Sequence, residues 1–240
     1  MSEQKLIDQL TPEQQAMIPE FRERYTKYAL NTNRIDHEAF KETVNMFRRY
    51  LKLPDATTFI FGDSPNDCYR KALAFEEKNM SSLKKQPAFT GELSKEKFVN
   101  AMNYGNIYSF WLCFYDFVNH VVDNKFDGDP RLFENLAKNC HLFWLYPEAV
   151  VYCDFPTIYS VNKEFKLSSL GGPTIQYSDG EFTKYIFEDV EVNPAVVLNP
   201  SFENAALIQD TAVREKYIEA LKVDYFSKIV GQNTTNESGS

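Results

Sequence analysis

One segment, Asn106–Val122, constrains the fold of this chain more than any other part of the sequence. It reads NIYSFWLCFYDFVNHVV, and 12 of its 17 residues are apolar when tyrosine and cysteine are counted. At about 100° per residue, its large apolar side chains cover roughly half of a helical wheel. The polar residues fall on the opposite arc: Asn106, Ser109, Asp116, Asn119 and His120. We expect a helix that lies deep in a core, with this polar arc in contact with water.

The net charge and the apolar segment indicate the cellular compartment of the protein and the classes of partner that it can bind. The net charge of −8 and the pI of about 5.0 argue against binding to nucleic-acid backbones, which requires a basic surface. The apolar segment is interrupted by Asp116, Asn119 and His120, and it is shorter than the ~20 residues of a membrane span. The N-terminus, MSEQKLIDQLTPEQ, lacks the apolar stretch of an export signal. We therefore expect a cytoplasmic protein that binds neither membrane nor nucleic acid.

The four cysteines, Cys68, Cys113, Cys140 and Cys153, are widely spaced and form no CxxC pair. Without an export signal, this spacing favours buried reduced thiols over disulfides. Cys140, His141 and Cys153 are too few and too unevenly spaced to predict a zinc ion. The sequence therefore predicts neither a metal site nor a cofactor.

Local capping signals predict helices in the first part of the chain. Thr11–Gln14 (TPEQ) combines an N-cap residue, a proline in the first turn and a glutamine three residues after the cap. Asp36 precedes a second helix that we expect to end near Leu51. Ser64–Asp67 (SPND) restarts a helix after Thr57–Phe61, a β-branched and aromatic run that predicts a short strand.

From Leu142 onward the pattern changes to short apolar or alternating runs separated by turn residues. These runs predict an antiparallel meander of about five or six strands, with a tight hairpin turn at Asp179 and Gly180. Ser201 and Thr211 then begin the closing helices. The predicted fold class is α+β: a helical N-terminal part, the antiparallel meander, and C-terminal helices packed back on the core.

The same pattern divides the chain into four parts. Residues 1–10 form an N-terminal extension, residues 11–141 are mostly helical, and residues 142–230 contain the meander and the closing helices. We expect the second and third parts to interlock in one globular unit. Residues 231–240 (GQNTTNESGS) are polar and predict a disordered tail.

Several motifs occur in a distinctive order between about Leu10 and Val230. They are LTPEQQAMIPEFRERY, FGDSP, FWLCFYDF, HLFWLYPEAVVYCDFPTIY and GGPTIQYSDG, followed by the closing helices in Ala205–Glu219. Together they resemble a bacterial domain family of unknown function, number 6745, which is sometimes joined to leucine-rich repeats. GGPTIQYSDG also resembles a β-hairpin element that recurs in bacterial and phage proteins. The resemblance implies a bacterial or phage protein with the α+β arrangement above, and it carries no activity.

Two sets of residues are candidates for chemistry. Asp154, Glu164 and Lys166 place two carboxylates beside a lysine, as in restriction-type nucleases that hold Mg²⁺ and activate water at a phosphate. Asp116 and His120 lie one helical turn apart, and this spacing allows them to pair as an acid and a base. The alternatives are a solvated turn for the first set and a solvated helix face for the second, and we favour these.

Aromatic residues on the predicted helix and strands form a candidate binding surface. Tyrosines at alternating strand positions can line a ligand cleft, or they can be core residues whose hydroxyl groups reach the surface. The candidate binding residues are Trp111, Tyr115, Trp144, Tyr177, Asp179 and Tyr185. The basic residues Arg48, Arg49 and Lys52, together with Lys84 and Lys85, are expected on a solvated face.

Common catalytic motifs are missing from the sequence: it contains no Walker loop, GxGxxG, HExxH or GxSxG. We therefore expect a non-catalytic, cytoplasmic binding or protein-interaction module with an unknown protein partner. The alternative is a metal-dependent hydrolase or nuclease that uses Asp154, Glu164 and Lys166. The sequence leaves the oligomeric state open.

Overall fold

A computed structural model of the chain describes residues 9–83, 103–122 and 129–236. This described part contains seven α-helices, two 3₁₀ helices and nine short strands, so the predicted α+β class is confirmed. None of the helices within these three ranges is both long enough and apolar enough to cross a membrane.

The chain divides into two compact units, Met1–Phe155 and Pro156–Ser240. The sequence pattern changes at Leu142, but the division falls after Phe155. The reason is pairing, because the two strands that follow Leu142 form hydrogen bonds with strands of the helical part. Those two strands therefore belong to the core of the first unit.

The described residues of the first unit form five α-helices, a 3₁₀ helix and four strands. The α-helices are α1 (Pro12–Ala29), α2 (His37–Tyr50), α3 (Pro65–Leu83), α4 (Ser109–Val121) and α5 (Leu132–Asn139). A 3₁₀ turn at Asn106–Tyr108 leads into α4. The strands are β1 (Thr58–Gly62), β2 (Asn103–Tyr104), β3 (Leu142–Leu145) and β4 (Ala149–Cys153).

Capping residues explain where the first two helices begin. The Gln14 N–H donates to the Thr11 hydroxyl at 3.2 Å, and the Thr11 N–H donates to the Gln14 side chain at 2.9 Å. This reciprocal pair is a capping box. The Asp36 carboxylate accepts from the N–H groups of Glu38 and Ala39, each at 3.0 Å. Both predicted helix starts are confirmed, because each depends only on residues within one turn.

The sheet of the first unit positions the residues discussed below. Its strand order is β1-β4-β3-β2, with β1 parallel to β4 and the other pairs antiparallel. Phe40 of α2 stacks on Tyr152 of β4 with ring centroids 4.1 Å apart, so α2 covers one face of the sheet. β4 is buried along its whole length, as expected of a strand covered on both faces. The parallel pairing also places Asp63 and Asp154 after neighbouring strand ends.

Arg48 shows that the expected solvated basic face is wrong at one position. Its side chain is fully buried, and its guanidinium donates to the carbonyl oxygens of Pro54, Tyr146 and Pro147. These three acceptors replace water around the charge. Burial nevertheless lowers the pKa of Arg48. Its neighbour Arg49 is exposed, as predicted, whereas Lys84 and Lys85 lie outside the described residues.

Within residues 156–236, the second unit forms five short strands, two α-helices and a 3₁₀ helix. The strands are β5 (Ile158–Tyr159), β6 (Ile175–Gln176), β7 (Thr183–Lys184), β8 (Ile186–Phe187) and β9 (Val190–Glu191). The helical elements are α6 (Pro194–Leu198), the 3₁₀ turn Asn204–Leu207 and α7 (Thr211–Asn236). Phe187, Val196 and Tyr217 lie in its buried apolar core.

Two features of the second half differ from the predicted arrangement in detail. The strands after Leu142 are distributed over three sheets, since β5-β6-β7 and β8-β9 each pair separately from the first sheet. Residues 231–236 form the last part of α7, where the sequence predicts a disordered tail. Residues 1–8 of the predicted extension and residues 237–240 of the predicted tail lie outside the described residues.

Candidate functional site

The central apolar segment is helical, as predicted, but its two sides face the opposite way from the prediction. α4 packs against α1 and α5. Ser109 and Asp116, on its polar side, are buried. Phe110, Trp111 and Phe114, on its aromatic side, are 78%, 54% and 52% exposed. The expectation of a buried aromatic side and a solvated polar side is therefore wrong for these residues, although Phe117 is buried and His120 is exposed as predicted.

Hydrogen bonds explain why the polar side lies inside the unit. The buried Asn106 side chain donates to the carbonyl oxygens of Tyr28 and Ala29, at 3.2 and 3.3 Å. These carbonyls lie at the C-terminal end of α1, where the Tyr28 carbonyl also accepts from the Asn31 N–H at 3.2 Å. The Ser109 hydroxyl donates to the Asn106 carbonyl oxygen at 2.6 Å. The polar side of the segment thus satisfies backbone groups that no apolar residue could satisfy.

Asp116 lies in a cluster of titratable groups contributed by α1, α4 and α5. Its carboxylate is 3.6 Å from an Arg24 nitrogen and 3.0 Å from Nδ1 of His120. Glu134 of α5 lies 3.5 Å from Arg24 and accepts a hydrogen bond from the Tyr28 hydroxyl at 2.8 Å. Burial raises the pKa of Asp116, and its polar neighbours offset that effect only in part. The cluster links three helices.

The Asp116–His120 pair has the spacing of an acid–base dyad, but its neighbours supply no activated nucleophile. Nδ1 of His120 also lies 3.1 Å from the Asp116 carbonyl oxygen, so the imidazole is held in one orientation. Burial and the Asp116 charge raise the pKa of the Cys113 thiol, which disfavours the reactive thiolate. The Ser109 hydroxyl already donates to a backbone carbonyl. This geometry fits a structural role for the pair.

The three nuclease candidates are distributed over both units. Asp154 is fully buried after β4 and accepts from the N–H groups of Ile35 and Phe155, at 2.8 and 2.9 Å. It also lies 2.6 Å from Arg34. These contacts bind the Asp154 carboxylate to the loop before α2, which is a structural role.

Glu164 and Lys166 lie in the second unit, where they form an ion pair at 2.6 Å. The hydrogen bond from Lys166 lowers the pKa of Glu164. Lys166 also lies 3.5 Å from Glu188. Among the residues that the structure describes, no group of three or more histidine, cysteine or acidic side chains could hold a metal ion.

The candidate binding residues have different environments. Trp144 and Tyr177 are buried, and Tyr185 packs partly buried against the core of the second unit. Asp179 accepts from the Glu181 N–H at 3.0 Å in the connection between Gln176 and Thr183, which is longer than the tight turn predicted at Asp179 and Gly180. Trp111 and Tyr115 both lie on the exposed side of α4.

The exposed side of α4, together with the 3₁₀ turn before it, is a row of large apolar residues without a charged member. We call it the α4 face, and its residues are Ile107, Tyr108, Phe110, Trp111, Phe114 and Tyr115. Beyond it, the Phe133 ring lies 5.4 Å from Tyr115 and 6.4 Å from Tyr50. Since a buried aromatic side chain covers about 150–250 Å², the α4 face exposes on the order of 600 Å². Patches of that size on a monomer are commonly interaction sites.

No protein-family model matches this chain, and neither a curated protein nor a solved structure matches it. The geometry of the chain is therefore the basis for assigning a role to the α4 face. On that geometry, Phe110 and Phe114 are functional candidates that the sequence reasoning placed in the core. The helical wheel places both phenylalanines on the same arc as Trp111, which the sequence already identifies as a candidate binding residue.

Proposed function

We propose that this protein is a non-catalytic protein-interaction module whose binding surface is the α4 face. The observation that carries the proposal is the exposure of Phe110, Trp111 and Phe114 on one side of a helix whose other side is anchored. Aromatic residues in the centre of a surface patch are the residue types that most often dominate protein–protein affinity.

The α4 face is unfavourable in water while it is uncovered. Apolar surface in water costs about 25 cal/mol per Å² relative to a buried state. Covering the α4 face would remove most of its ~600 Å² from water, a gain on the order of 10 kcal/mol before the costs of association. Placing the aromatic residues outside therefore sacrifices folding stability that the same residues could supply from a core.

Preorganisation also supports a binding role. Asn106 and Asp116 attach the segment to α1, through a hydrogen bond to the Tyr28 carbonyl and an ion pair with Arg24. The exposed rings therefore project from a fixed helix, and a partner would order few additional backbone groups on binding. Affinity rises when less conformational freedom is lost.

The cellular setting is part of the same proposal. We propose a cytoplasmic protein of bacterial or phage origin that belongs to the domain family of unknown function number 6745. The order of the motifs from LTPEQQ to GGPTIQYSDG supports the family. The acidic net charge of −8 supports a protein partner rather than a nucleic acid.

Site-specific photo-crosslinking tests the proposed surface. Phe114→p-benzoylphenylalanine places the crosslinker on the α4 face, and Phe202→p-benzoylphenylalanine places it on an exposed residue of the second unit. After irradiation in the native host, we expect defined protein adducts from position 114, absent from position 202 and lost when Phe110→Ser is added. Equal adducts from both positions, or none from position 114, would reject the α4 face as a binding surface.

A further inference from the structure

We infer that the partner covering the α4 face is a second copy of this chain, so that two α4 helices pack against each other about a two-fold axis. This inference rests on the proposed function, because it names the partner of the same surface. A two-fold contact uses the same patch on both subunits, and the patch must therefore be complementary to itself.

The absence of charge makes the α4 face complementary to itself. None of its six residues is charged, and the nearest carboxylate on the same helix, Asp116, is buried on the opposite side. Two copies with a net charge of −8 repel each other through most surface orientations. The α4 face avoids placing like charges opposite each other. A partner selected by charge complementarity would find no charged group on it to recognise.

The spacing of the side chains suits helix-to-helix packing. On α4, Trp111 and Tyr115 form one row at an interval of four residues, and Phe110 and Phe114 form the adjacent row. Rows of this interval form the ridges and grooves that interdigitate when two helices cross at about −50°. The same rows on a second copy supply matching ridges and grooves.

The area also agrees with a dimer. Two copies of the α4 face would bury on the order of 1,200 Å², at the lower end of the range for specific interfaces. Homodimer interfaces are more apolar than interfaces with transient partners, which resemble the rest of the surface in composition. A face made only of aromatic and aliphatic residues fits the homodimer class.

The two tryptophans of the chain provide an internal probe. Trp111 is 54% exposed on the α4 face, whereas Trp144 is buried in the sheet. Acrylamide should therefore quench the Trp111 fluorescence of the monomer and leave that of Trp144. A dimer should protect Trp111 as well, so the accessible fraction should fall as the protein concentration rises.

Sedimentation and quenching of the full chain, from about 0.1 to 200 µM, test the inference over a range that spans micromolar affinities. We expect the mass to double from 27.9 kDa as the Trp111 quenching falls. Phe110→Ser and, independently, Phe114→Ser should weaken the dimer at least 30-fold, the effect of about 2 kcal/mol at a binding hot spot. Phe202→Ser is the matched control and should leave dimerisation unchanged, and circular dichroism checks that all variants fold.

A mass of 27.9 kDa at every concentration, or a dimer that survives both α4 variants, would overturn the inference. The crosslinking experiment separates this failure from that of the proposed function. Adducts from position 114 to a different protein, with a monomeric chain, would reject the second copy and retain the interaction module. A monomeric chain without adducts would reject both. An adduct of twice the chain mass would support both.

Discussion

Nδ1 of His141 lies 2.7 Å from Oδ1 of Asn106, and both side chains are buried. Asn106 uses its amide nitrogen for the last carbonyls of α1, so Oδ1 is the atom left to accept from His141. Burial lowers the pKa of His141 to about 3, which keeps the ring neutral and leaves a proton on Nδ1 to donate. One asparagine therefore connects the end of α1, the start of α4 and the start of β3.

Asn106→Ala should destabilise the first unit by about 2–4 kcal/mol, because His141 would lose the Asn106 acceptor and the Tyr28 and Ala29 carbonyls would lose the Asn106 amide donor. Urea unfolding followed by circular dichroism measures the change. Asn33→Ala is a suitable control, since Asn33 is exposed and its side chain bonds only to nearby Asn31 among the contacts described. A loss below about 0.5 kcal/mol for Asn106→Ala would contradict the assigned role.

Acid should destabilise the protein partly through His141. The ordinary pKa of 6.5 applies to the unfolded chain, whereas the folded value is about 3. As the pH falls from 6.5 towards 3, the unfolded chain binds a proton that the folded chain excludes, so the free energy of unfolding decreases. Each pKa unit of separation corresponds to about 1.4 kcal/mol.

His141→Gln provides the comparison, because glutamine can hydrogen-bond to Asn106 without titrating. Urea unfolding at about pH 7.5, 6 and 5 should show a smaller loss of stability for the variant than for the wild-type chain. Burial raises the pKa of Asp116 and Glu76, and those carboxyl groups change stability in the opposite direction in both proteins. Parallel pH curves for the two proteins would show that His141 contributes no pH dependence.

Gly105 should tolerate no side chain. A Cβ built at this position would lie 2.0 Å from the Cys140 carbonyl oxygen, closer than any non-bonded contact. The Gly105 N–H donates to the His141 carbonyl, so the two backbones cannot separate without breaking this bond. Gly105→Ala should therefore cost about 3 kcal/mol or more, or abolish the cooperative unfolding transition. Gly172→Ala is the control, because its Cβ would meet no atom within 4 Å; similar thermal unfolding of the two variants would refute the clash.

Sequence periodicity separates the apolar and polar sides of α4, but it does not determine which side faces the core. The helical wheel correctly separated Phe110 and Trp111 from Asp116, because that separation depends only on 100° per residue. Which side faces inward depends on groups elsewhere in the chain, such as the α1 carbonyls that Asn106 binds. Those partners are 77 and 78 residues away in sequence. Hydrophobicity alone favoured the wrong side.

Long-range pairing also limited the prediction of the sheet and of the candidate site. Thr57–Phe61 was identified as a strand from its residue types, but its parallel partner β4 begins only at Ala149. Asp154 follows β4, and its acceptor role depends on the N–H group of Ile35, 119 residues earlier. Local patterns such as the Thr11 cap were predictable because all of their atoms lie within one turn.

Arg48 should be far more sensitive to substitution than its neighbour Arg49. Lysine at position 48 has a single ammonium group and cannot reach the three carbonyls that the planar guanidinium binds together. Arg48→Lys should cost about 2–4 kcal/mol in urea unfolding. Arg49→Lys should cost less than about 1 kcal/mol, because its ion pair with Asp55 is exposed. If both variants lost the same free energy of unfolding, the buried contacts of Arg48 would stabilise the protein no more than the exposed ion pair of Arg49.

Lys52 occupies a backbone conformation that glycine would adopt more easily. Its φ is 60°, and the N–H groups of Lys52 and Leu53 donate to the carbonyls of Arg49 and Arg48, the two hydrogen bonds of a Schellman motif at the end of α2. A Cβ in the left-handed region costs about 1–2 kcal/mol, so Lys52→Gly should raise the free energy of unfolding by about 1 kcal/mol. Lys52→Ala keeps the Cβ and should give no gain. Elsewhere alanine is the more stabilising of the two residues, because it restricts the unfolded chain. A glycine variant more stable than the alanine variant is therefore expected only where the backbone is left-handed. Urea midpoints at equal m-values measure the two stabilities. An alanine variant as stable as the glycine variant would show that this conformation is not strained.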